Sequence, residues 1–377
     1  MDLSLTETQE MLRKTARDFL VRECPNDVAL RLDDGDTEVS SEIWQKMADL
    51  GWVGMTLPEE YGGLAANITD LAVLYEQFGW AALPSPHLSS SVLCGLTILS
   101  AGTEDQKQQL LPSIARGELI LALALTEPHC SWGADSVRLK AAATGSGFVL
   151  DGVKLMVPDV HIAHKILCFA RTRETRNPEV GITLFLVDKN SKGLSWRPLT
   201  GFLGERLNEV TFNRVEVPRS SLVGGLDSGW TDFLSPLRKA TVLLCEYMVG
   251  GCQRIFEMTA EYSRARIQFG VHIGTFQRVQ DHVIDIANCL EAARWTTYEA
   301  LWKLDKGETA DREVSLAKVV ASEAYYDACQ SAHDVHAGAG IMKEYPLHLH
   351  TKKSRTLYHY LGDPAYHRKI LAQLLAF

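Results

Sequence analysis

The stretch YSRARIQFGVHIGTFQRVQ, residues 262–280, sits between two long helical patterns. Downstream of it, Phe276, Val279, Val283, Ile286, Leu290 and Ala293 keep a three-four spacing, the mark of one apolar helix stripe. From Trp230 onward helix breakers are few for long stretches. Long helices of this kind bury their stripes against one another, so the last third reads as a bundle. Within the stretch, Arg266, Phe269, Gly270, Phe276 and Gln277 hold a definite spacing. Taken alone, Arg266 reads first as a solvated charge on a helix.

Moving toward the N-terminus, the period changes. Ile182, Leu184 and Leu186 alternate with Thr183, Phe185 and Val187, and Val210 and Phe212 alternate with Thr211 and Asn213. Residues 166–170 form a short buried-strand run, and Asp151-Gly152 reads as a hairpin turn between two such runs. Several short strands between about 121 and 220 predict a compact β domain. The first third is helical again. Thr6 and Gln9 have capping-box spacing before the stripe Leu12, Ala16, Phe19 and Leu20. Ile43, Trp44, Met47 and Leu50 repeat the stripe, with Gly51 closing it. Thr103 and Gln106 start another helix, which is expected to stop near Pro112. PEEYGG, residues 58–63, reads as a loop. The fold class is therefore α+β, mostly α, with domains expected at 1–120, 121–228 and 229–377.

With 46% hydrophobic and 23% charged residues over 377 positions, the chain has enough apolar material for a sizeable core. The formal charge of -9 is not offset by any basic tract, which speaks against a nucleic-acid partner. A few placed arginines still suffice for an anionic cofactor. The first twenty residues lack a secretory apolar region and carry acidic residues unlike a transit peptide. No run of about 18 apolar residues predicts a membrane span. The eight cysteines form no CxxC pair. They read as reduced thiols of a cytoplasmic protein.

The 262–280 segment resembles the Y-x-x-x-R-x-x-F-G-x-x-I-x-x-F-Q segment of acyl-CoA dehydrogenases. PEEYGG at 58–63, LTEP at 125–128, and HAGAG with EYPLHLH between 336 and 350 follow in that family's order. The resemblance implies an N-terminal helical domain, a middle β domain and a C-terminal four-helix bundle. FAD is implied in an extended conformation between domains and across a subunit interface. Arg266 is implied at the pyrophosphate of a neighbouring subunit's FAD, where a planar guanidinium gives bidentate charge. Phe269 belongs to the same cofactor-binding segment, and the Gln277 amide is implied at the adenosine end. Thr126 falls where a hydroxyl meets the flavin ring. His336, Gly338 and Gly340 match a glycine-rich turn along FAD, although Ala337 replaces its first glycine. HCSWGAD, residues 129–135, follows LTEP in place of the common G-A-G-S-D, and KLMVPDV, residues 154–160, replaces a tryptophan-containing strand. Met156 there is expected to pack on the flavin ring or in the core.

The implied reaction is α,β-desaturation of an acyl-CoA to a 2,3-enoyl-CoA, a step of lipid metabolism. A carboxylate takes the Cα proton, flavin N5 takes hydride from Cβ, and hydrogen bonds polarise the thioester carbonyl. An electron-transfer flavoprotein is the implied acceptor. Yet Leu361 stands at the family's usual glutamate in Tyr360-Leu361-Gly362-Asp363, and Ala240 stands at the alternative position. Leucine accepts no proton, although its N–H remains a donor. Asp363 reads as the N-cap of a last helix begun by Pro364. Glu246, flanked by apolar residues in LLCEYMVGG, is the catalytic base expected here, with a raised pKa. Two alternatives remain: a catalytically quiet subunit of a heteromeric dehydrogenase, or a related desulfinase or reduced-flavin monooxygenase. A homodimer, a homotetramer or a heterotetramer with a related subunit fits these readings.

Overall fold

A computed structural model describes residues 4–129, 131–199 and 207–376. Six helices come first: α1 Glu7–Glu23, α2 Asn26–Asp33, α3 Thr37–Asp49, α4 Ile68–Trp80, α5 Leu96–Ala101 and α6 Glu104–Ala115. Thr6 and Thr103 each close a reciprocal capping box with the glutamine three residues on. Gly51, at φ 75°, ends α3 as the pattern predicts. There its N–H and that of Trp52 bond back to Ala48 and Met47 carbonyls. The helix expected to stop near Pro112 runs on to Ala115, carrying the proline in its last turn. A π-helical segment, Leu88–Gly95, precedes α5, and its serines 89, 90 and 91 are buried.

Eight strands then form one sheet: β1 Leu121–Ala124, β2 Lys140–Ala143, β3 Gly147–Pro158, β4 Lys165–Arg171, β5 Ile182–Asp188, β6 Leu194–Pro198, β7 Leu207–Pro218 and β8 Leu222–Val223. Their order is β6-β7-β3-β2-β4-β5-β8, with β1 pairing parallel to β4. Ile166, Cys168 and Ala170 of β4 enter one core with Phe148, Phe185 and Phe212. Leu167 and Phe169 point the other way, into the helical core. Both faces of β4 are covered, which explains its unbroken apolar run. The Asp151-Gly152 pair makes no hairpin turn. It lies inside the twelve-residue β3, where the register against β7 shifts between Leu150 and Gly152. The hairpin closes at 144–147 instead, where Thr144 and Gly147 bond to each other. A bulge and a turn both favour glycine at positive φ, so the dipeptide alone does not separate them.

The C-terminal part holds α7 Gly229–Ala265, a two-strand arm of β9 Ile267–Gln268 and β10 Val271–His272, then α8 Gln277–Asp305, α9 Asp311–His336, α10 Leu347–His359 and α11 Pro364–Leu374. The helices α7, α8 and α9 pack on one another, with α10 and α11 against α9. The α4 helix crosses α7 so closely that glycine is required on each side. A Cβ on Gly79 would lie 1.8 Å from the Tyr247 carbonyl oxygen, and one on Gly250 would lie 1.8 Å from that of Glu76. Amino-terminal and carboxy-terminal helices thus share one apolar core, with α7 at its centre. None of the described helices is long and apolar enough to cross a membrane. The seven described cysteines are free thiols, six of them buried; Cys130 lies outside the described residues.

Candidate active site

Thr126 lies two residues past β1, and its carbonyl accepts a hydrogen bond from Leu155 N at 2.8 Å, which fastens it beside β3. Among the described residues its hydroxyl has no hydrogen-bond partner, although the residue is only 8% exposed. The next residue explains the rigidity of this corner. Glu127 is buried and accepts from Arg138 N, Leu139 N and Lys154 Nζ, the last at 2.7 Å. Lys154 is wholly buried, donates also to the Leu125 carbonyl, and burial pushes its pKa down. Two residues on, Met156 stands at φ 54° where β3 and β7 again lose register, between Lys154 and Val157. A bulge of this kind re-aims a side chain. Met156 is accordingly 41% exposed, rather than in the core, one residue after the Leu155 N–H that holds the Thr126 carbonyl. An exposed thioether and an unengaged hydroxyl each suit the edge of a flavin ring.

A cleft of about 170 Å³ begins at the residues after Met156, Pro158 and Asp159. Its walls include Leu244 and Tyr247 of α7 and Tyr360 at the end of α10. Aromatic groups are prominent, with Tyr75 and Phe78 of α4 on the same wall. The Tyr75 hydroxyl and His87 Nδ1 are 2.9 Å apart, and His87 Nε2 is 3.0 Å from the Trp52 carbonyl. Burial pushes the His87 pKa down to about 4. Neutral His87 therefore donates from Nε2 and accepts the Tyr75 proton at Nδ1. Asp159 has a left-handed backbone, φ 60°, and Ser89 Oγ donates to its Oδ2 at 3.0 Å. Asp33 and Asp36 are the other carboxylates of the cleft.

Leu361 is buried at φ 60°, uncommon for a residue with a branched side chain. His367 Nε2 and the Leu361 carbonyl are 3.0 Å apart, and His367 is held neutral by burial, its pKa near 4. No acceptor among the described residues takes the Leu361 N–H. Asp363 caps α11 through Tyr366 N, with Pro364 in the first turn, as the sequence predicts.

Glu246 is elsewhere. On an ideal helix it lies about 160° round from Leu244, since two residues turn the chain by about 200°. It opens into a second cavity with Glu76 and Tyr298, on the opposite side of α7 from the cleft. Its raised pKa is as expected, set by burial and then by Glu76. Helix phase turns the expected base, Glu246, away from the cleft and toward this second cavity. His336 is packed inside the chain. It is 1% exposed, with Nδ1 2.8 Å from the Ala332 carbonyl, Nε2 2.9 Å from Tyr345 Oη, and its ring stacked on Tyr262. Both ring nitrogens are engaged within the chain, beside the turn that follows. In that turn Gly340 is buried, and a Cβ there would meet His333 and Leu347; Gly338 is exposed and unobstructed. Ala337, in place of glycine, takes φ 48° and ψ −131°, a strained backbone for alanine.

Arg266 ends α7, and Gln277 starts α8, both exposed. The arm between them carries Phe269, 93% exposed at φ 52°, edge-on to Phe276 at 6.3 Å. Ile267 and Val271 are also exposed. The sequence therefore grouped residues that lie on two surfaces of one chain: Thr126 and Met156 at the sheet, Arg266, Phe269 and Gln277 on the arm. It missed Glu127, Lys154, His87 and Asp159. The spacing of Lys154 from Met156 was visible, but nothing in one sequence pairs Lys154 with Glu127.

Models of three acyl-CoA dehydrogenase domains match the chain: N-terminal over 6–118, middle over 122–215 and C-terminal over 227–376. A 3-(aryl)acrylate reductase of Clostridium sporogenes is 31% identical over 375 residues, covering 98% of this chain and 99% of that protein. Subunit CarC of the caffeyl-CoA reductase–Etf complex of Acetobacterium woodii is 28% identical, covering 98% of each. The structure of PigA with FAD and proline superposes with a TM-score of 0.91 at 27% identity, over 100% of this chain and 99% of that one. The chain belongs to the acyl-CoA dehydrogenase family. It is a flavoprotein oxidoreductase whose cofactor is FAD, and the unengaged, nearly buried Thr126 hydroxyl fits that group.

Proposed function

We propose that this protein oxidises the Cα–Cβ bond of an acyl-CoA to a 2,3-enoyl-CoA, passing electrons on to an electron-transfer flavoprotein. Bound FAD supplies the hydride acceptor. The observation that carries the reading is the cleft walled by Pro158 and Asp159, after Met156, and by Tyr360, next to Leu361. Thr126 donates to the ring and Met156 packs on it. The Leu361 N–H, fixed by His367 on the carbonyl of the same residue, polarises the thioester carbonyl. Proton transfer is assigned to Asp159, the cleft carboxylate nearest Met156 along the chain. Arg266, Phe269 and Gln277 reach the cofactor of a neighbouring subunit, and Gly338 and Gly340 line its path. The aromatic walls favour an aryl or branched acyl group, in keeping with the arylacrylate and caffeyl names of two relatives.

The test is anaerobic flavin absorbance against a panel of CoA thioesters that includes butyryl, isovaleryl and 3-phenylpropanoyl forms. Bleaching by a member of the panel is expected, and Asp159→Asn is expected to slow it at least a hundredfold. An Asp159→Asn enzyme that bleaches at the parental rate removes the base assignment. A second reading follows from the aliphatic residues at 240 and 361: a quiet subunit paired with a catalytic relative. Yellow protein that no thioester bleaches, and that gains activity only with a second subunit, favours it.

A further inference from the structure

The cavity behind α7 has a volume of about 280 Å³ and is walled by α4, α7, α8 and the start of α1. An engineered apolar cavity of about 150 Å³ holds benzene, so this one admits a body about twice as large. Its sides are apolar, with Ala72, Val73 and Leu301 among them. At its wall Glu246 is 1% exposed, and its Oε1 has no hydrogen-bond partner among the described residues. Glu76 and Asp305 line the same space, and Arg294 lies 3.8 Å from Glu76 while pairing with Glu291 at 2.5 Å. Tyr298 and Trp302 add aromatic faces. One of these already attracts a cation: the Lys306 ammonium lies 3.6 Å from the Trp302 ring centroid.

We propose that this cavity is a second ligand site, separate from the cleft, that takes a small organic ammonium ion with an apolar body, its charge seated on Glu246. Glu76, Glu246 and Asp305 line this space with Lys306, Arg294 is shared between Glu76 and Glu291, and Arg13 and Arg17 of α1 act on Glu76, so among the described residues no cation forms an ion pair with Glu246 and its charge is left to be neutralised. Without a ligand a proton does this on Glu246, whose pKa burial and Glu76 raise against the opposing pull of Arg294. An entering ammonium replaces that proton. The carboxyl releases H⁺ to solvent, the amine keeps its own, and charge balances. The apolar walls take the rest of the ligand, and the neutral and anionic isosteres lack the compensating charge. The proposal does not depend on the reaction in the cleft.

The experiment is calorimetric titration of the FAD-loaded protein with 2-phenylethylamine, with 2-phenylethanol and 3-phenylpropanoate as isosteres. The amine is expected to bind at least tenfold more tightly than either. Release of one proton makes its affinity rise by about tenfold per pH unit below the folded pKa of Glu246. Buffers of different ionisation enthalpy are expected to report that proton directly. Glu246→Gln, similar in shape and checked for folding by its melting curve, is expected to lose both the affinity and the pH slope. Equal binding of the three probes, binding without proton release, retained binding in Glu246→Gln, or no binding at all each overturns the proposal.

Discussion

Thr126 and Glu246 each carry a buried or nearly buried oxygen without a partner among the described residues, and their surroundings give them different roles. The Thr126 carbonyl is held by Leu155 N, so the residue is fixed while its hydroxyl stays available. Thr126→Val is expected to keep the fold and lower the rate of flavin bleaching by about tenfold, the equivalent of one hydrogen bond of about 1.4 kcal/mol. Stopped-flow absorbance measures it, and an unchanged rate removes the hydroxyl from the site. Glu246 instead faces Glu76 from α4, with Arg294 and Tyr298 from α8 close enough to act on its charge. Its folded pKa is raised, so the fold keeps a proton that the unfolded chain gives up above about pH 4.3. Stability therefore falls as pH rises from there toward the folded pKa. Glutamine cannot ionise. The advantage of Glu246→Gln over the parent in thermal unfolding is expected to grow from pH 5 to pH 8; a constant difference contradicts the buried protonated acid.

At the scale of elements, the pair Glu127–Lys154 ties the segment after β1 to the middle of β3. The four hydrogen bonds on Glu127 and the second one from Lys154 leave little polar capacity unsatisfied. Removing one partner leaves the other charge buried. Lys154→Met is expected to cost about 3 kcal/mol and to loosen Thr126 with it. The double variant Lys154→Met with Glu127→Gln is expected to recover part of that loss in denaturant unfolding. Equal stability of parent and single variant rejects the staple. Elements also show what one sequence can disclose. The capping boxes at Thr6 and Thr103, the stop at Gly51 and the cap at Asp363 were legible because each depends on residues three or four apart. The bulges at Gly152 and Met156 were not, because register is a relation between β3 and a distant β7. Glu246 was legible as a buried acid, but which wall of α7 it faces depends on what α4 and α8 bring to that wall. His336 matched a cofactor turn, while its partner Tyr262 lies 74 residues away in sequence.

At the scale of the whole molecule, the proposed cofactor contacts fall on two surfaces of one chain, and another copy or a related subunit would bring them together. The arm gives the physical reason to expect this. Phe269, Ile267 and Val271 are exposed apolar side chains on a short projecting hairpin, beside Arg266 and Gln277. An apolar patch rimmed by polar residues marks an interface more often than a solvated surface. If the arm seats against a neighbour, its apolar residues anchor the contact while Arg266 contributes charge to the cofactor's pyrophosphate. The two functions separate under mutation. Phe269→Asp is expected to shift the assembly toward smaller species in light scattering and to lower the flavin-to-protein absorbance ratio with it. Arg266→Gln is expected to leave the mass unchanged and weaken FAD retention by at least tenfold, with the loss greater at low salt, where the lost charge is least screened. Identical mass and identical flavin content in both variants would show that the arm serves neither the subunit contact nor the cofactor.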